Sequence, residues 1–198
     1  MTLESSKNLG GIGALLMVIG SLGFLGAYTS ILSLIGLILV LIALNGLANY
    51  YNERGIFNYA LYGILTAIVG GVVSVAIILG AAFGFLAAIG IDFAKLTDWT
   101  AFSRIDWQSI VTLDALRPFI AAVVLGLVVL FVFVVVSAFL IRRSLNFASA
   151  KTGVGMFSTA GLILLIGAFL TIIIIGFLLI WIAMILLIVA FFSIRTKP

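Results

Sequence analysis

Apolar residues in this chain come in long blocks broken by short polar stretches, and they do not alternate with polar residues in a period of two. The first block covers residues 9–27 and closes on Tyr28, Thr29 and Ser30. A second covers 31–48 and is followed by the polar stretch NYYNERGIFNY at 49–59. A third runs over 60–91, a fourth over 118–141 and the last over 154–194, with polar segments at 92–117 and 142–153 between them. About 20 apolar residues in a helix cross a hydrocarbon core roughly 30 Å thick. In that solvent every backbone polar group must be paired internally, which leaves helices or a closed barrel. Barrel strands alternate apolar and polar residues, whereas LIGLILVLIAL and VVLGLVVLFVFVVVSAFLI do not. The pattern predicts an all-α fold, a polytopic integral membrane helical bundle.

Six transmembrane helices are expected in a single membrane domain over 1–198, at about 9–27, 31–48, 60–91, 118–141, 154–172 and 176–194. The first is expected to be a retained span and not a cleaved signal, because a second apolar run follows it directly. At 1.5 Å per residue the third run would be about 48 Å long, so it must tilt, kink at a glycine or protrude. The last block would reach roughly 60 Å as one helix, so it is expected to be a hairpin turning near 171–176. Pro118 suits the first turn of the fourth helix, where a missing N–H costs nothing, with Asp114 as a cap or first-turn acid. The outer segment 92–117 places Trp99, Phe102 and Ile105 on one face and Trp107, Ile110 and Leu113 on another, as in short amphipathic helices lying on a membrane surface.

Composition agrees: 65% of the residues are hydrophobic and 8% charged, against about 25% charged in an ordinary soluble domain. The net charge is +4, yet the cations sit at the ends of apolar runs, where they set orientation; nucleic acid is not an expected partner. Lys7, Arg54, Arg142, Arg143, Lys151, Arg195 and Lys197 fall on one side of the six-span arrangement, and Lys95, Arg104 and Arg117 on the other. That asymmetry puts both termini in the cytoplasm, in a multi-pass cell-membrane protein. There is no histidine and no cysteine, which removes the usual general base, the commonest metal ligand and any thiol chemistry. No acid, lysine or arginine stands in mid-span, which argues against a proton-coupled pump or a voltage sensor. A pore would have to be lined by Ser74, Ser137, Ser158, Thr159 or backbone. No catalytic, cofactor-binding or metal-binding residue is assigned, no cofactor is expected, and an enzyme is not expected.

Two groups of residues remain as candidates. Gly63, Ala67, Gly71, Ala76, Gly80, Gly84 and Ala88 form a track of small residues, mostly four apart, along the third run. Gly13, Gly20 and Ala27 recur every seven residues in the first. Small residues let helix backbones approach closely in lipid, within one chain or between copies. The second group is the inner polar cluster Asn45, Asn49, Asn52, Glu53, Arg54, Asn58, Tyr59 and Tyr62. Asn45 and Asn49 are expected to face other helices in an interhelical hydrogen-bond clasp; the functional alternative is a site for a headgroup, solute or protein. A shift of 147 residues places Gly20 on Gly167 and IGLILVLIAL on IAMILLIVAF. This is a candidate parallel repeat of the first and last hairpins.

The chain resembles a largely prokaryotic, chiefly archaeal family of membrane proteins known as domain of unknown function 996. The resemblance rests on LGGIGALL at 9–16, IGLILVLIALNGLANYYNERGIFNYALYG at 35–63, and GLILLIGAFL and IAMILLIVAFFSI near the C-terminus. It implies a multi-span membrane protein and transfers no functional residue. The expected function is a non-enzymatic membrane component acting through helix packing with itself, membrane lipid or a membrane-protein partner, a homo-oligomer among them. The alternative is a channel or carrier for a small neutral or lipid-like solute, on the strength of the repeat and the glycine-broken third run.

Overall fold

The structure is a computed structural model and describes residues 2–22, 29–88 and 113–195. Six helices make it up, and no strand occurs among the described residues: α1 (Leu3–Gly20), α2 (Thr29–Tyr50), α3 (Gly55–Ala88), α4 (Leu113–Thr152), α5 (Met156–Leu170) and α6 (Ile175–Phe192). Helices α2 to α6 are each long and apolar enough to cross a membrane. The described part of α1 is not among these five, because its first two turns carry Glu4, Lys7 and Asn8. The first run expected at 9–27 ends outside the described residues, as does most of the outer segment 92–117 with Trp99 and Trp107.

Three boundaries differ from the hydropathy pattern. Helix α3 begins at Gly55 instead of residue 60, because the turn before it is complete by Arg54. Helix α4 does not stop near Ile141 but continues to Thr152. Its polar extension holds no glycine or proline, and it keeps Leu145 and Ala148 buried one turn apart. Gly153, at φ +72°, ends it in the left-handed conformation that glycine adopts without a Cβ penalty. Because α4 already runs from Leu113, Pro118 lies in the second turn and not the first. The last apolar block folds as α5, a 3-10 turn at Thr171–Ile173, and α6.

Packing divides the chain into two compact units, Met1–Ala67 with Val134–Pro198, and Ile68–Phe133. In the first unit α1 packs on α2 and on α6, and α5 packs on α6. Gly13 and Gly36 set the α1–α2 crossing: a Cβ on Gly13 would lie 2.7 Å from the Gly36 carbonyl oxygen. Gly10 and Gly11 leave room on α1 for the rings of Phe191 and Phe192. Phe191 in turn meets Phe157 edge to face at 5.1 Å, and Leu47, Ile56 and Ile194 complete a fully buried core around this pair. In the second unit Gly70 of α3 receives the Phe133 ring of α4, and Gly126 of α4 approaches Ile78 and the Ser74 carbonyl of α3.

The candidate repeat has a counterpart in packing. A side chain on Gly20 would strike the backbone of Ser33, and one on Gly167 would lie 3.1 Å from the backbone nitrogen of Ile180. These pairs are equally spaced along the chain and correspond under the shift of 147 residues. Ala43 and Ala190, and Leu47 and Ile194, correspond in the same way and are all buried.

Candidate functional site

The polar cluster is organised by the way α2 ends. Asn52 takes φ 51°, a left-handed conformation that asparagine tolerates better than most residues. The Glu53 N–H then donates to the Ala48 carbonyl at 2.8 Å, and that of Asn52 to the Asn49 carbonyl at 3.4 Å. This is the paired bonding of a Schellman stop, which satisfies carbonyls that the helix end would otherwise orphan. Asn52 is therefore a helix-terminating residue, off the face that carries Asn45 and Asn49.

Asn45 and Asn49 are exposed, and neither side chain has a hydrogen-bond partner among the described residues. The expectation that they face other helices is corrected. The inward positions on this stretch belong to Ala43, Leu44, Leu47 and Ala48. Asn45 lies about 7.5 Å along the helix from Tyr50, and the headgroup layer is roughly 5–7 Å thick on each side of the core. Both amides therefore point away from the helices packed on α2, close to its end at Tyr50.

What clasps the turn is α4. Lys151 Nζ lies 3.3 Å from Glu53 Oε2, while Glu53 Oε1 accepts from the Gly55 N–H at 3.4 Å, at the helix end that favours a carboxylate. Ser144 Oγ, fully buried, donates to the Ile56 carbonyl. The Arg143 guanidinium sits 5.4 Å from the Tyr59 ring centroid and 5.7 Å from that of Phe139, in the range of a cation–π contact. Tyr59 stacks on Phe147 at 5.7 Å with 10° between the rings. Farther along, Ser158 Oγ donates to Asn146 Oδ1 at 2.9 Å, tying α5 to α4. Arg54 and Tyr62 are exposed and Asn58 is half-buried. Burial, and then the neighbouring Tyr50, push the Tyr51 phenol above its ordinary value. Sequence reasoning missed Arg143, Phe147 and Lys151, which stand four residues apart on one face of α4. That spacing was the available signal, hidden by reading 142–153 as a linker.

The small-residue track divides in two. Gly63 is buried, and a Cβ there would lie 2.7 Å from Ile141 Cγ1 and 3.0 Å from the Ser137 carbonyl oxygen of α4. Ala67 is half-buried. A Cβ on Gly71, Gly80 or Gly84 would meet no described residue within 4 Å, and Ala76, Gly80 and Gly84 are exposed. Ala88 is the last residue of α3. Of the hydroxyls named as pore candidates, Ser74 and Ser137 are buried, and Ser74 Oγ has no hydrogen-bond partner among the described residues. Thr159 bonds back to the Gly155 carbonyl at 3.3 Å. Among the described residues no group of three or more His, Cys, Asp or Glu side chains comes together.

Helices of this length and apolarity, with their backbone polar groups paired internally and their charged residues kept toward helix ends, define an α-helical membrane protein. The chain belongs to the family described as "Protein of unknown function (DUF996)", whose model matches residues 32–185. Uncharacterized protein MJ1644 of the archaeon Methanocaldococcus jannaschii is 30% identical over 193 residues, which cover 98% of this chain and 93% of that protein. No solved structure matches the chain.

Proposed function

We propose that the protein is a non-enzymatic membrane component that acts by packing with copies of itself through the outward face of α3. The observation that carries this reading is Gly80 and Gly84, exposed one turn apart beside Ala76, where an added Cβ would meet no described residue within 4 Å. Glycine costs a helix roughly 1 kcal/mol relative to alanine, and in lipid its return is close backbone approach by another helix. Lipid chains cover this face in the monomer, and a second copy displaces them in the oligomer. Native mass spectrometry from lipid nanodiscs reads the result. The wild type is expected as a defined oligomer, and Gly80→Leu or Gly84→Leu as monomer. Monomers of the wild type at every lipid ratio, together with flux of a solute, would sink the proposal.

The proposal includes six spans with both termini in the cytoplasm. The cation asymmetry supports it, and so does the bond from Lys7 Nζ to the Ile194 carbonyl at 2.9 Å. That bond joins the beginning of α1 to the end of α6, which an even number of crossings requires.

A further inference from the structure

The first unit holds a partly open cavity of about 190 Å³ lined by side chains of all six helices, every one of them apolar. Its lining runs from Ala60 near the start of α3 and Leu145 near the end of α4 to Val40 and Met184 in the middle of the spans Ile31–Tyr50 and Ile175–Phe192. Native interiors hold few voids larger than a water molecule, and a cavity without polar partners does not hold water. The lining also follows the repeat. Met17 and Leu164, Leu37 and Met184, and Val40 and Leu187 all face the cavity, and each pair corresponds under the 147-residue shift. The cavity therefore lies between the first and last hairpins at equivalent positions of each. In secondary transporters built from such repeats, the repeat interface is where substrates bind.

We infer that this cavity is a binding site for a saturated hydrocarbon chain. A dry cavity of about 150 Å³ takes benzene, so this one admits a chain of roughly seven or eight carbons. Such a segment is part of a lipid tail, or a free alkane dissolved in the membrane. Two methionines among the lining residues suit an irregular chain, because their unbranched thioethers adapt to its shape. Headgroups, sugars and ions are excluded, since nothing in the lining could replace their hydration. The inference does not depend on self-association: the cavity belongs to the first unit, and the proposed oligomer face to the second.

The test uses the full chain in phosphatidylcholine nanodiscs with two photolabels in separate arms. One is a phosphatidylcholine carrying a diazirine at the end of an acyl chain; the other is a free octyl diazirine. Adducts are located by proteolysis and mass spectrometry. Labelling of Met17, Leu37 or Met184 is expected from the lipid, the alkane or both, and the arm that labels identifies the source. Ala160→Leu and Ala183→Leu fill the cavity from α5 and α6 and should lower that labelling about tenfold. Adducts at the outward-facing Ile38 and Ile42 should stay unchanged, which reports that the bundle is intact. Ala160→Val, a smaller change, should give an intermediate loss if the leucine variants do not fold. Adducts confined to outward positions in both arms, or equal labelling of filled and wild-type chains, would overturn the inference.

Discussion

Among the described residues two outside glycine adopt positive φ, Asn52 at 51° and Ile174 at 64°, and they illustrate two kinds of turn. Asn52 was readable as a turn residue, since it stands in NYYNERG among polar neighbours. Ile174 was not. The stretch TIIIIG contains a glycine, but Gly176 is required elsewhere: a side chain there would strike the Gly167 carbonyl and separate α5 from α6. The left-handed turn then falls on a β-branched residue, at a cost of roughly 1–2 kcal/mol. Ile174→Gly is expected to raise stability by about 1 kcal/mol, and Asn52→Ala to lower it by a similar amount. Thermal denaturation of the purified protein in detergent checks both. A fall in stability for Ile174→Gly would mean that packing, not backbone conformation, governs that turn.

At the scale of elements, apolar block length located the membrane helices well because about 20 apolar residues have few other uses in a chain this poor in charge. It failed at the end of α4, because hydropathy reports the solvent around a segment, not its backbone. Residues 142–152 leave the apolar pattern but stay helical, and their inward face packs Leu145, Ala148 and Ser144 against the first unit's core. That extension carries the groups that hold the α2–α3 turn, so the polar cluster was only half legible: its α2 and α3 residues could be named, and its α4 partners could not. Those partners should differ in weight. Lys151→Ala removes an ion pair that is partly exposed on both sides, and should cost less than about 1 kcal/mol. Ser144→Val removes a fully buried hydrogen bond and inserts bulk, and should cost about 1–3 kcal/mol. A denaturant series on the two variants separates them, and equal effects would show that the clasp is electrostatic.

For the molecule as a whole, the first unit gathers four points of the chain at one end of its core. The start of α1 meets the end of α6 through Lys7 and Ile194, and the α2–α3 turn meets the end of α4 through Glu53 and Lys151. Leu3, Ile56, Phe157 and Ile194 lie in one core cluster between these contacts. Lys7, Arg54, Lys151 and Arg195 are thus brought together by packing, although they were grouped from the sequence by a charge count alone. Two independent arguments converge because the cations that orient a helix end must also lie where the helices end. The 3-10 turn at Thr171–Ile173, one helix length away along α5 and α6, stands far in sequence from any charged residue and should lie on the opposite side. The chain has no cysteine, so single cysteines can be introduced without background. In sealed vesicles, Asn52→Cys, Gly153→Cys and Ser193→Cys should react with an impermeant maleimide from the same side. Ile173→Cys should react only from the other. If Asn52→Cys and Ser193→Cys reacted from opposite sides, an odd number of crossings would follow, and the six-span arrangement with both termini in the cytoplasm would be wrong.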